Sequence, residues 1–141
     1  MNEIIRNGIV ILFLMINGYL DWKKHEISLA SILIFGVAGI GFSLGTSCSH
    51  WGELLGGTSV GIFVMAIAFL TKEAIGFGDG LLLVVTGVWL GFWETLRLLV
   101  TGLILCTVIM GVLVLCKAVS KEERIPLVPF LLLSFVGRLF I

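Results

Sequence analysis

Two aspartates, Asp21 and Asp79, are the only ones in this chain of 141 residues, and each lies at the end of an apolar stretch. Asp79 belongs to the glycine-rich string Gly-Phe-Gly-Asp-Gly at positions 76–80. An ionisable group near hydrocarbon costs about 2.5–3.5 kcal/mol, so such residues are functional by default. Two carboxyl groups within hydrogen-bonding distance share a proton, so that one activates water while the other donates a proton. Such a pair could hydrolyse a peptide bond.

The composition is that of an integral membrane protein, because 59% of the residues are hydrophobic, 13% are charged and the mean hydropathy is +1.19. Apolar stretches separated by charged residues predict six transmembrane helices in one compact all-α bundle. The stretches are residues 7–20, 27–52, 54–71, 80–93, 98–116 and 125–137. Three of them are shorter than the ~17 residues that a membrane helix needs, and two of these three abut an aspartate. Their ends are expected to line a polar cavity enclosed by protein.

The chain is expected to form a single integral-membrane domain over residues 1–141, with no soluble domain. Its longest hydrophilic connection, residues 117–124, is too short to fold alone. The lipid bilayer is an expected partner and nucleic acid is not.

Lysine and arginine residues are divided unequally between the two sides of the predicted bundle. The connections after the first, third and fifth helices hold Lys23, Lys24, Lys72, Lys117, Lys121 and Arg124, whereas the other side holds Arg6, Arg97 and Arg138. The positive-inside bias therefore predicts that these connections are cytoplasmic and that both termini are extracytoplasmic. Since Asp21 follows the first helix and Asp79 precedes the fourth, both aspartates are predicted at the cytoplasmic face.

Glycines near Asp79 and in the helices suggest close backbone approaches. Gly76, Gly78 and Gly80 are expected to permit φ > 0 and to let a substrate backbone pass beside the Asp79 carboxylate. The alternative is that Asp79 only caps the fourth helix, and for Asp79 alone capping is the favoured interpretation.

Three further glycine pairs, each with a spacing of four, are Gly41 and Gly45, Gly57 and Gly61, and Gly87 and Gly91. They predict helix-packing faces, unless glycine is simply common in membrane helices.

Three segments together resemble the type IV prepilin peptidase family, including its short preflagellin and Tad-type members. The string 76–80 matches the Gly-x-Gly-Asp motif of these membrane aspartic proteases. The segment 20–27, Leu-Asp-Trp-Lys-Lys-His-Glu-Ile, is similar to their first catalytic segment, in which an aspartate ends the first helix. The segment 124–130, Arg-Ile-Pro-Leu-Val-Pro-Phe, resembles the proline-containing segment that opens their last core helix. The resemblance covers essentially the whole chain.

The resemblance implies that Asp21 and Asp79 form a catalytic dyad at the cytoplasmic face of the cell (plasma or inner) membrane. The substrate would be a prepilin or pseudopilin, cut between a short basic leader and a hydrophobic helix that enters a type IV pilus or a protein-secretion pseudopilus. Other residues that could contact the substrate or the dyad are Lys24, Glu26, Glu73, Pro126 and Pro129. For Lys24 the alternatives are that it only contributes to the positive-inside bias or that it modulates the charge of the dyad. Glu26 and Glu73 could receive basic residues of the leader, although a solvated interface is the simpler interpretation, and Pro126 suits a first helical turn.

Larger members of that family carry an extra N-terminal region with paired cysteines and a methyltransferase activity. This chain has Cys48, Cys106 and Cys116 but no Cys-x-x-Cys motif. We therefore expect peptidase activity without N-methylation, zinc or any other cofactor. Cys106 and Cys116 are expected to pack as small apolar residues, and Cys48 is expected in an outer loop.

Two other functions fit the two aspartates. Another intramembrane protease with a Gly-x-Gly-Asp motif, of the presenilin or signal-peptide-peptidase kind, is one, although this chain is short for that larger set of helices. A small proton-coupled transporter is the other, because carboxylates within membranes also serve as proton carriers.

Overall fold

A computed structural model describes residues 2–24, 28–45, 51–72, 77–117 and 127–140. The described residues form six α-helices, so the predicted all-α bundle is confirmed for this part of the chain. The helices are α1 (Asn2–Lys24), α2 (Leu29–Gly45), α3 (Trp51–Leu70), α4 (Phe77–Leu90), α5 (Phe92–Leu115) and α6 (Val128–Phe140). By length and composition α1, α3 and α5 can each cross a membrane, whereas α2, α4 and α6 are apolar but shorter.

The first two helices form an antiparallel pair. The Ser31 hydroxyl on α2 donates to the Asn17 side chain on α1 over 3.0 Å. Further along, the rings of Phe13 and Phe35 pack with their centroids 4.9 Å apart. Because the residue number falls along α1 as it rises along α2, the chain direction reverses between them.

Helix α2 runs parallel to α4. Gly36 lies against Val85, and the rings of Phe42 and Trp89 stack with centroids 5.6 Å apart. Residue numbers therefore rise together along both helices. Since α1 is antiparallel to α2, the C-terminal end of α1 lies at the same end of the bundle as the N-terminal end of α4.

The α3 and α4 helices pack so closely that their backbones touch. The contacting pairs are Gly57 with Gly87, Gly61 with Val84, and Met65 with Gly80. A Cβ atom at any of these glycines would collide with the opposite helix, so only glycine permits this approach. The predicted packing face at Gly57 and Gly61 is confirmed.

The other two predicted glycine pairs behave differently. Gly41 and Gly45 face open space on α2, so their predicted role in helix packing is wrong. Gly87 packs against α3, but Gly91 ends α4 with φ of 84°, a conformation that glycine adopts without steric cost. A single residue thus separates α4 from α5.

Helix boundaries predicted at charged residues are wrong in three places. Helix α1 continues past Asp21 to Lys24, α3 begins before Glu53, and α5 includes both Glu94 and Arg97. Glu53 and Glu94 lie in first turns, where the positive end of the helix dipole favours a carboxylate. Charge therefore marks helix ends here without interrupting the helices.

The last helix, α6, packs against α1 and α5. At its N-terminal end Val128 and Pro129 lie beside Gly18, and further along Leu131 lies against Gly102. The Ser134 hydroxyl forms a hydrogen bond with that of Thr101 on α5. The largest fully buried apolar side chains are Phe13, Phe135, Leu14, Leu82, Leu83, Leu131, Val10 and Val128. This core includes residues from α1, α4 and α6, the helices that surround the two aspartates.

Candidate active site

Asp21 lies in the last turn of α1 and is almost completely buried, with 8% of its surface exposed. Its Oδ2 accepts a hydrogen bond from the backbone N–H of Val128, at 3.3 Å. Val128 is the first residue of α6, so the Asp21 carboxylate faces the positive end of that helix. The sequence places these two residues far apart, and α6 brings a donor to the carboxylate.

The first turn of α6 shows how Asp21 completes that helix. The N–H groups of Phe130 and Leu131 both donate to the carbonyl oxygen of Leu127, at 3.1 Å. Pro129 has no N–H, and the N–H of Val128 donates to Asp21. Pro129 therefore stands where a proline loses no hydrogen bond, which accounts for its position beside the carboxylate.

Asp79 is the third residue of α4 and is also buried, with 9% of its surface exposed. A carboxylate in a first helical turn is stabilised by the helix dipole, whether or not it also does chemistry. Asp79 stands within the helix and does not precede it as an N-cap residue would. Because α1 and α4 contact each other in antiparallel orientation, Asp21 and Asp79 lie at the same end of the bundle.

The glycines beside Asp79 differ from expectation. Gly78 and Gly80 are both helical residues of α4, so the predicted φ > 0 is wrong for them. Gly80 instead allows α4 to approach α3, because a Cβ atom there would lie 3.1 Å from the Cα of Met65. Gly80 thereby sets the position of the helix turn that carries Asp79. Gly76 lies outside the described residues.

A buried polar pair lies one helical turn from Asp21. The Asn17 side chain is completely buried; its amide donates to the carbonyl oxygen of Phe13 at 2.9 Å, and its Oδ1 accepts from Ser31. Asn17 precedes Asp21 by four residues and so occupies the same face of α1. This spacing is the signal by which the sequence could have revealed Asn17, whereas the partner on α2 required the structure.

We expect Ser31→Ala to lower the free energy of unfolding by about 1 kcal/mol, because it leaves the buried Asn17 Oδ1 without its donor. The measurement is equilibrium unfolding in mixed micelles. Ser59→Ala is the matched control, since Ser59 is exposed and its hydroxyl donates to Gly56 of its own helix. Equal losses from the two substitutions would contradict a stabilising link between Asn17 and Ser31.

Two cysteines were expected to pack as apolar residues. Cys106 on α5 is partly buried against the core, as predicted. The prediction is wrong for Cys116, which is exposed where α5 ends.

The remaining candidate residues are divided between the described and undescribed parts of the chain. Lys24 is exposed at the end of α1, three residues after Asp21. Glu26, Glu73 and Pro126 lie outside the described residues, as does Cys48. Within the described ranges, no three histidine, cysteine, aspartate or glutamate side chains are grouped as metal ligands.

The fold and site define a class of protein with long apolar helices and two buried carboxylates at one end of the bundle. A sequence model of the type IV leader peptidase family matches residues 8–116, and the chain belongs to this family. The matched residues extend from within α1 to the end of α5 and include both aspartates. No curated protein and no solved structure matched the chain. The family match and the apolar helices together make the chain a membrane protein and a peptidase.

Proposed function

We propose that this chain is an aspartic endopeptidase that removes short basic leaders from prepilin-like or pseudopilin-like membrane proteins. The observation that carries this proposal is the burial of Asp21 and Asp79 at one end of the antiparallel α1 and α4 helices. The chain's membership of the type IV leader peptidase family supports the substrate class. Neither observation alone would distinguish a protease from a proton carrier.

In the proposed reaction, Asp21 and Asp79 share one proton between their carboxyl groups. The ionised carboxyl group takes a proton from water while the water oxygen attacks the scissile carbonyl carbon. The protonated carboxyl group donates to the carbonyl oxygen, which gives a tetrahedral diol. The carboxyl group that took the water proton then passes it to the leaving amine as the C–N bond breaks. One hydroxyl of the diol returns its proton to the other carboxylate as the C=O bond re-forms, so the pair again shares one proton. The Val128 N–H keeps Asp21 oriented during these transfers because it holds one oxygen of that carboxylate.

The proposed topology has six membrane-spanning helices, both termini outside and the dyad at the cytoplasmic face. Support comes from the described lysines at the ends of α1, α3 and α5, which all lie at the end of the bundle that holds the aspartates. These are Lys23, Lys24, Lys72 and Lys117. The arginines of α1, α5 and α6 lie at the opposite end, and they are Arg6, Arg97 and Arg138. Lys121 and Arg124 lie outside the described residues, but the sequence places them in the connection between α5 and α6. The sequence count is therefore six positive charges against three, which favours the aspartate end as cytoplasmic.

The position of the dyad also restricts the substrate. Both carboxylates lie at the ends of apolar helices, so a bond cut there belongs to a chain anchored in the same bilayer. The scissile bond would then lie just outside the substrate's own apolar helix, and positive charges in the leader would retain it in the cytoplasm. A prepilin-like protein combines these two features.

The test is cleavage of a purified prepilin-like substrate by the purified chain in lipid nanodiscs, followed by mass spectrometry. We expect one cut between the basic leader and the apolar helix. Replacing the leader's lysine and arginine residues with glutamine tests the charge requirement, and deleting the apolar helix tests anchoring. Cleavage of the helix-free substrate at an equal rate would contradict the anchored-substrate proposal, and no cleavage of the full substrate would contradict the leader peptidase.

The alternative transporter is distinguished in sealed vesicles. A proton-coupled transporter would acidify the vesicle interior in response to a solute gradient, and it would leave the prepilin-like substrate intact. We expect cleavage without such proton movement. The presenilin-like alternative predicts a cut within the substrate's membrane helix, which the mass of the products distinguishes from leader removal.

A further inference from the structure

An open cavity of about 330 Å³ lies at the end of the bundle opposite the two aspartates. Its walls come from the N-terminal ends of α1 and α3 and the C-terminal ends of α2 and α4. At ~30 Å³ for each water molecule, it holds about ten waters, which exceeds the space that a single ion needs. A volume of this size is at the lower end of the range for ligand pockets.

Three charged side chains line this cavity without pairing with one another. They are Glu3, Arg6 and Glu53, and within the described part of the chain none of them forms an ion pair. The same end of the bundle contains a contrasting group on α5 and α6, in which Glu94 pairs with both Arg97 and Arg138. Charged side chains on α5 and α6 therefore form ion pairs at this end of the bundle, whereas the three charged side chains around the cavity do not pair with one another.

Arg6 brings a positive charge to the wall of this cavity. Its Nε is buried and has no acceptor among the described residues, which is costly for a guanidinium N–H. Guanidinium groups bind phosphate through parallel hydrogen bonds, so the part of the Arg6 guanidinium that lines the cavity can bind a phosphate. The Glu53 side chain, which is opposite in charge to Arg6, lies over Gly91. A Cβ atom placed on Gly91 would be 3.7 Å from Glu53 Oε2.

The aromatic residues of the cavity add an apolar wall. Trp89 and Phe42 stack on each other, and the indole N–H of Trp89 already donates to the carbonyl oxygen of Phe35 over 3.0 Å. The indole therefore presents carbon surface, on which methylene groups or the face of a bound cation can rest.

We propose that this cavity binds a phosphoethanolamine group, with the phosphate at Arg6 and the ammonium at Glu3 and Glu53. The three side chains carry both signs of charge, so an isolated anion would meet two carboxylates and an isolated cation would meet the guanidinium. A zwitterion with a two-carbon linker complements both signs and places its methylenes against Trp89 and Phe42. Because the cavity opens at the end of a bundle of apolar helices, the headgroup of phosphatidylethanolamine is the source within reach.

Native mass spectrometry of the full chain, titrated with single lipids, tests this proposal. We expect one phosphatidylethanolamine molecule to bind about tenfold more tightly than phosphatidylglycerol, which lacks the ammonium, or phosphatidylcholine, whose ammonium has no N–H donor. Excess soluble O-phosphoethanolamine should displace the lipid, because the headgroup carries the recognised charges. Equal affinity for the three lipids, or no displacement, overturns the proposal.

Two variants and a control locate the binding. Arg6→Gln and Glu53→Gln should each weaken phosphatidylethanolamine binding by about tenfold, with melting temperatures close to that of the unchanged protein. Arg97→Gln is the matched control, because Arg97 lies at the same end, is exposed and does not line the cavity. Unchanged affinity in both cavity variants overturns the assignment. The readout is lipid binding, so it is independent of whether the aspartates at the other end cleave a leader.

Discussion

Asp21→Asn and Asp79→Asn are each expected to reduce leader cleavage by about a thousandfold or more, because each removes a carboxyl group that transfers protons in the proposed reaction. The amide has nearly the shape of the carboxyl group, and at position 21 its oxygen can still accept the Val128 N–H. We therefore expect both variants to fold, with circular dichroism and melting temperature close to those of the unchanged protein. The measurement is the single-turnover cleavage rate in nanodiscs.

Glu94→Gln is the matched control for these variants. It removes a carboxylate at the opposite end of the bundle and breaks the ion pairs with Arg97 and Arg138, so it perturbs stability without touching the dyad. Its cleavage rate should remain within about threefold of the unchanged protein, since surface pairs of this kind contribute at most ~1 kcal/mol. Full cleavage by either aspartate variant would show that the pair is not catalytic.

The helical fold and the common location of the aspartates could be predicted because both follow from the order of elements along the chain. Three successive reversals between α1 and α4 bring Asp21 and Asp79 to one end, and counting apolar stretches is enough to find this. The glycine pair at positions 57 and 61 was also visible, because its spacing puts both residues on one helix face. In each case the signal is local or periodic.

Other parts of the site depend on contacts between distant segments, which periodicity does not encode. The Val128 N–H reaches Asp21 because α6 packs beside α1. The sequence around Val128 does not indicate which residue accepts this hydrogen bond. Gly80 resembles a substrate-facing glycine in the sequence, yet it contacts Met65 of α3. Charged residues also gave wrong helix boundaries, because a carboxylate is tolerated in the first turn of a helix. The break between α4 and α5 comes instead from the backbone conformation of Gly91.

Gly61→Leu is expected to lower the free energy of unfolding by about 3 kcal/mol, near the upper end of the usual range for overpacked sites. A Cβ atom at Gly61 would contact the backbone nitrogen of Val84 and lie 2.6 Å from its Cα. Backbone atoms cannot relieve the overlap by a change of rotamer, as a flexible side chain can. The helices α3 and α4 must therefore separate. The measurement is equilibrium unfolding in mixed micelles.

The same separation should also impair catalysis in the fraction that stays folded, because α4 carries Asp79 and a displacement of about 1 Å can cost about a hundredfold in rate. Gly41→Leu is the matched control: Gly41 has open space around it, and leucine favours a helix by nearly 1 kcal/mol over glycine. We expect this control to be at least as stable as the unchanged protein and equally active. If Gly61→Leu matched it in both stability and cleavage rate, close contact between α3 and α4 would not be what positions Asp79.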